Sequence, residues 1–251
     1  MIIPSVGYHE EYSVRAYDID AYKRMTAPAL LRVLNELAMQ HVLQLKLSVL
    51  DLEPHQIGWV LLRLEVNINR LPNLGEKIQV KTTPSGVERA YTYRDYYVTG
   101  EQGELLATAS TTWIMLNTES RRPTRIPSWI MERLPEMPPP EQCLARPAGQ
   151  LPDWTDATTQ ASSRVGWYDL DFNWHLSNTH YLGLLLNGVS SDFLKNHAPS
   201  HLLIHYKQEA VLDDKLLSEA CQMDGHSFRH RLRRGDDILA EASTSWRPIA
   251  Q

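Results

Sequence analysis

Tyr17-Asp18-Ile19-Asp20 returns far along the chain as Tyr168-Asp169-Leu170-Asp171. Outward from that pair, Ala109-Ser110-Thr111-Thr112-Trp113 returns as Ala242-Ser243-Thr244-Ser245-Trp246. Between the landmarks each half runs through a helix-like stretch and then several strand-like stretches, in the same order. The copies diverge directly after the first signature. The early one continues Ala21-Tyr22-Lys23-Arg24, the late one Phe172-Asn173-Trp174-His175. A duplicated fold in which only one copy carries Asp, Asn and His together reads as one working site and one supporting half.

A chain of 251 residues fits two domains of ordinary size, and the repeat favours that division. Hydrophobic content of 43% and charged content of 22% are those of a globular protein. A net charge of −5 argues against broad nucleic-acid binding, which needs Lys and Arg to neutralise phosphates. No apolar run approaches the roughly 20 residues of a membrane-spanning helix, and Met1-Ile2-Ile3-Pro4-Ser5 lacks the features of a signal peptide. Cys143 and Cys221 make neither a disulfide framework nor a metal-ligand spacing, so a cytoplasmic, reducing location is expected.

Tyr8 to Tyr17 reads as a strand. Thr26 precedes Ala27-Pro28, an early proline of the kind helices tolerate. Leu30, Leu34, Leu37, His41 and Leu45 follow at helical spacing with Leu31, Ala38 and Val42 beside them. A stripe this wide suggests a helix embraced by a sheet. Strands are expected over 59–69, 77–83, 90–99 and 105–116, with turns at 72–75, 84–86 and 100–103. From Asn117 to Thr158 prolines crowd the chain, which reads as a linker with a short helix near Ser128 to Arg133. The second copy predicts one helix bearing Tyr181, Leu182, Leu185, Leu186, Val189 and Phe193, capped by Ser177 or Asn178. Its strands are expected over 202–211, 215–224, 227–234 and 238–247. The expected organisation is therefore 1–120, a Pro-rich linker over 121–158, and 159–251, in an α+β pattern.

The segment Asp169 to Tyr181, DLDFNWHLSNTHY, resembles the motif of acyl-acyl-carrier-protein thioesterases. Ala109 to Arg122 with Ile126-Pro127 resembles the end of that family's first domain, and Tyr206-Lys207-Gln208-Glu209 its later catalytic strand. The likeness runs from about Tyr12 to Trp246. It implies two tandem hotdog domains, each an antiparallel sheet wrapped around a long central helix. It implies hydrolysis of the thioester between a fatty acyl chain and the phosphopantetheine arm of acyl carrier protein, without metal or diffusible cofactor. It carries catalytic roles to Asp171, Asn173, His175 and Glu209.

The residue chemistry agrees with those roles. Alternation is expected to place Asp171, Asn173 and His175 on one side of an extended loop before the helix. Glu209 acts as general base or holds the water, and His175 orients water or thioester and shuttles protons. Asn173 donates to the carbonyl or the water, Asp171 fixes its neighbours, and backbone N–H groups near Asn178 complete an oxyanion site. Plant members of the family often carry Cys after the Glu. Here that position is Ala210, so a papain-like thiol nucleophile is not expected, while water attack and a carboxylate nucleophile both stay open.

The family likeness also places the acyl chain in the first half, with Leu34, Leu37, Ala38, His41, Trp59 and Tyr91 as candidates to line it. Acyl carrier protein is acidic, so its docking calls for local positive charge. Arg121, Arg122 and Arg125 form one candidate patch; Arg229, Arg231, Arg233 and Arg234 form another. A two-hotdog chain mimics the usual hotdog dimer, so a monomer or a homodimer is expected, with no nucleic-acid partner. The rival readings are a hotdog acyl-CoA thioesterase, a hotdog dehydratase, and an acyl-binding module without catalysis.

Overall fold

The computed structural model describes residues 3–157 and 159–249. The chain divides into two compact units, Met1–Pro147 and Ala148–Gln251.

In the first unit β1 (Tyr8–Ser13) is followed by α1 (Ala27–Gln44), a single turn α2 (Val49–Leu52), and the strands β2 (Ile57–Ile68), β3 (Lys77–Glu88), β4 (Tyr91–Gly100) and β5 (Leu105–Asn117). The strands pair antiparallel in the order β1-β3-β4-β5-β2. Thr26 caps α1 by accepting from the Ala29 N–H at 3.2 Å, and Pro28 sits where a first-turn N–H has no partner to lose. The helix buries Leu30, Leu31, Leu34, Leu37, Ala38 and His41, the stripe read from the sequence. β3 continues through the expected turn at 84–86. Its ladder to β4 slips between Pro84 and Gly86, and its pairing with β1 ends at Thr82. Pro84 therefore lies where a missing N–H and a bulge are tolerated, and the chain reverses at Arg89, whose φ is +57°.

Much of the Pro-rich segment belongs to this unit. Past the single helical turn α3 (Ser128–Met131), the Tyr97 hydroxyl donates to the Gln142 carbonyl at 3.2 Å. Leu144 N–H donates to Asp95 at 2.8 Å, and Arg146 lies 3.7 Å over the Tyr93 ring. Ile126 and Ile130 join Leu47, Leu52, Ile57 and Met115 in one buried cluster.

The second unit repeats the plan with β6 (Thr159–Arg164), α4 (Asn178–Leu186), α5 (Ser191–Asn196), β7 (His197–Tyr206), β8 (Lys215–Gln222), β9 (Ser227–Arg234) and β10 (Asp237–Pro248). Its order is β7-β10-β9-β8-β6. The long single helix expected here is two short ones. A Cβ on Gly188 would stand 3.0 Å from Ala220 Cβ and 3.1 Å from its N, so a side chain there would need β8 to give by a few tenths of an ångström. Ser190 then starts α5, its hydroxyl accepting from the Phe193 N–H at 3.3 Å. Val189 and Phe193 pack, but from beyond the break.

The duplication extends to single hydrogen bonds. Asn69 and Arg70 N–H both donate to the Leu106 carbonyl, as Lys207 and Gln208 N–H both donate to that of Leu239. Trp113 and Trp246 each donate Nε1–H to a threonine two residues back, Thr111 at 2.9 Å and Thr244 at 2.8 Å.

Candidate active site

The segment expected to be extended is a tight turn. Asp171 N–H donates to the His175 carbonyl at 2.8 Å and Trp174 N–H to that of Asp171 at 3.1 Å. Leu170 bridges to Leu176, and Trp174 takes φ +63°, a conformation that costs a non-glycine residue of order 1 kcal/mol. Alternation therefore does not govern which way these side chains point. Asp171 Oδ1 accepts from the backbone N–H of Asn173 at 2.8 Å and of His175 at 3.3 Å, so this carboxylate is built into the turn. Asn173 is exposed, and its amide makes no hydrogen bond among the described residues.

Glu209 lies past the end of β7, not within a strand. The double donation of Lys207 and Gln208 to one carbonyl takes the chain out of the ladder. The segment then runs alongside the turn: Leu176 N–H donates to the Ala210 carbonyl at 2.8 Å and His175 bridges to Val211. That pairing brings His175 Nε2 to 3.5 Å from Glu209 Oε2, with both side chains partly exposed. Three further contacts hold the segment. The Tyr181 hydroxyl donates to the Gln208 carbonyl at 3.1 Å, Arg234 to the Glu209 carbonyl at 3.3 Å, and Arg234 pairs with Asp214 at 2.9 Å. Burial pushes the Tyr181 hydroxyl up to about 12, so it remains a donor.

The early copy has the same scaffold and other chemistry. Asp20 Oδ1 accepts from Tyr22 and Arg24 N–H, and Lys23 takes φ +65°. Met25 N–H donates to the Pro72 carbonyl as Leu176 N–H does to that of Ala210, which aligns Glu209 with Leu71. Where His175 faces Glu209, Arg24 folds back onto Asp20 at 2.9 Å.

α4 begins with Ser177 as its cap, accepting from the Thr179 N–H at 3.4 Å. His180 N–H is taken by the Ser177 carbonyl, and its Nδ1 lies 3.5 Å from Asp169 Oδ1. Among the described residues no group of three or more His, Cys, Asp or Glu side chains is arranged to hold a metal ion.

Of the acyl-chain candidates, Leu34, Leu37, Ala38 and His41 share the buried side of α1, and Trp59 packs against the cluster beyond its C-terminal end. Tyr91 does not join them. It alternates with Tyr93, Asp95 and Tyr97 on the face of β4 that meets the Pro-rich segment and is 38% exposed. His41 accepts at Nδ1 from Arg94 at 3.0 Å. Burial, and then the Arg94 charge, lower its pKa to about 4.

Arg121, Arg122 and Arg125 are exposed just past β5. The other basic patch is tied up by carboxylates: Arg229, Arg231 and Lys207 converge on Glu241, Arg233 on Glu219 and Arg234 on Asp214.

Family models of acyl-ACP thioesterases match the chain, the N-terminal domain over residues 5–134 and the C-terminal domain over 153–248. The chain belongs to the acyl-ACP thioesterase family. Curated relatives include palmitoyl-acyl carrier protein thioesterases, chloroplastic, of Cuphea hookeriana, 26% identical over 96% of this chain and 62% of the relative, and of Gossypium hirsutum, 27% identical over 96% and 64%. The chain thus spans less than two-thirds of the length of these relatives. Its fold is that of solved acyl-ACP thioesterases. The 12:0-ACP thioesterase of Umbellularia californica superposes with a TM-score of 0.86 at 20% identity, covering 99% of this chain and 100% of that one. An acyl-ACP thioesterase from Bacteroides thetaiotaomicron gives 0.84 at 20%, covering 95% and 97%. Both units are accordingly hotdogs of this family. Two residues the sequence reading did not place at the site, Tyr181 and Arg234, hold its backbone. Tyr181 was legible only as part of an apolar stripe and Arg234 only as one of several basic residues.

Proposed function

We propose that the chain hydrolyses fatty acyl thioesters of acyl carrier protein, with the second unit carrying the chemistry and the first holding the acyl chain. The observation that carries this reading is the His175–Glu209 pair at 3.5 Å, present in one copy of a duplicated scaffold. Glu209 takes a proton from water as its oxygen attacks the thioester carbonyl carbon. The oxyanion that forms accepts from the Asn173 amide. The C–S bond then breaks, and the thiolate leaves with a proton passed through His175, giving free fatty acid and carrier-protein thiol. Asp171 acts as a positioning residue through the turn. Ala210 offers no thiol beside Glu209, which argues against a thiol nucleophile.

Arg121, Arg122 and Arg125 supply the positive charge for an acidic carrier. We infer a cytoplasmic location and a monomer or homodimer. Its two cysteines are unpaired, as in a reducing compartment, and no helix among the described residues is long and apolar enough to cross a membrane. The curated plant relatives are chloroplastic by name.

The test is turnover of matched acyl-carrier-protein and acyl-CoA thioesters by wild type and by the triple variant R121E/R122E/R125E. A KM that rises for the carrier-protein series alone supports the reading. Equal turnover of CoA thioesters, unmoved by the reversal, would place the chain with acyl-CoA thioesterases.

A further inference from the structure

Arg94 is the buried cation of the first unit. Only 9% of its surface is accessible, and it lies on the face of β4 turned to α1. Its Nη1 donates to His41 Nδ1 at 3.0 Å and to Thr82 Oγ1 at 3.1 Å. Both partners are neutral, His41 because its pKa is lowered to about 4. Asp95, next in the chain, points to the other face and is held by Ser85 and Leu144. No carboxylate pairs with Arg94 among the described residues.

A buried charge without an opposite charge is costly. The guanidinium also has a free edge. Nε and Nη2 make no hydrogen bond among the described residues, and neither is among the sealed side-chain atoms that lack a partner. Each therefore keeps a little accessible surface. These two nitrogens form the side-on fork that matches the two oxygens of a carboxylate. Leu34, Leu37 and Ala38 lie on the buried side of the same helix as His41, so aliphatic side chains and the guanidinium belong to the interior of one unit.

From this we propose that the first unit recognises an aliphatic chain carrying a carboxylate, seated side-on against Nε and Nη2 of Arg94. The proposal rests on the first unit being the acyl-chain chamber. Two sources share this chemistry: an acyl thioester whose far end is a carboxylate, and free fatty acid returning as an inhibitor. His41 keeps Nη1 occupied, so the fork stays turned to the chain.

The test compares wild type, R94M and R94K. One arm measures hydrolysis of carrier-protein thioesters of matched length ending in methyl or carboxylate. The other measures inhibition by a free alkanoate against the alkanol of the same length. The expected result is a preference for the carboxylate in at least one arm, reduced at least tenfold in R94M. R94K, which keeps the charge without the fork, falls between and serves as the variant if R94M does not fold. Turnover of the carboxylate-ended thioester assigns the first source; inhibition by alkanoate alone assigns the second. Equal recognition of both ends by wild type, or an unchanged preference in the variants, overturns the proposal. Loss of all thioester hydrolysis in wild type with Arg94-dependent alkanoate binding would instead count against the thioesterase reading and leave this one standing.

Discussion

His175 Nε2 stands 3.5 Å from Glu209 Oε2, although the two residues come from a turn before a helix and a loop after a strand. Backbone pairing between those segments makes the approach. The Leu176 N–H to Ala210 carbonyl bond fixes how far Glu209 can stray, and Tyr181 and Arg234 pin the carbonyls of Gln208 and Glu209.

Tyr181→Phe removes one of those pins while preserving the buried ring. A neutral hydrogen bond contributes about 0.5–1.5 kcal/mol, so kcat should fall by roughly threefold to tenfold, with KM little changed. Steady-state kinetics with a carrier-protein thioester make the check. A variant with wild-type kcat would show that the Gln208 carbonyl needs no such support.

Asp171 and Asp20 occupy the same place in the two copies, and their alanine variants should separate chemistry from folding. Asp20→Ala loses two backbone contacts and the Arg24 pair, lowering stability by about 1–2 kcal/mol. The variant's kcat should stay within a few-fold of wild type. Asp171→Ala loosens the turn that carries Asn173 and His175, so kcat should fall by at least tenfold. Denaturant titration and turnover on both variants decide it; equal effects of the two on kcat would contradict the division of labour.

These pairings explain what the sequence disclosed. The duplication, the early proline of α1 and the stripe of α1 were legible because each is a local or periodic pattern. The tight turn at 171–176 was not, because it depends on Asp171 accepting from backbone two and four residues ahead. The split of the second helix was hidden as well. At the break Gly188 passes close to Ala220, a contact far apart in the chain. Pro84 read as a turn because its tolerance depends on where β1 stops pairing.

Gly188→Ala places a methyl 3.0 Å from Ala220 Cβ. Overpacking of this kind costs about 1–3 kcal/mol, and Ala220→Gly in the same chain should recover part of it, since the Ala220 N contact at 3.1 Å remains. Thermal unfolding of the single and double variants reads the effect. A Gly188→Ala protein as stable as wild type would show that the backbone there moves freely.

His230 is buried between the Leu185 carbonyl, to which Nδ1–H donates at 3.2 Å, and the Thr244 hydroxyl at 2.8 Å. Burial lowers its pKa from near 6.5 to about 4. Between those values the unfolded chain binds more protons than the folded one. Its contribution is therefore complete above about pH 6.5 and is lost as pH falls toward 4. Stability measured across this range should decline less steeply in His230→Gln than in wild type. Parallel slopes would mean that folding leaves the His230 pKa unshifted.

The most direct measurement is thiol release from acyl-carrier-protein thioesters of short, medium and long chain, by wild type and Glu209→Ala. Because Glu209 is partly exposed, the variant should keep its circular dichroism and unfolding midpoint. Wild type should turn these thioesters over, and the rate should fall by about 10²–10⁴ in the variant, the range of general acid–base help. A folded Glu209→Ala protein that releases thiol at the wild-type rate would contradict this expectation.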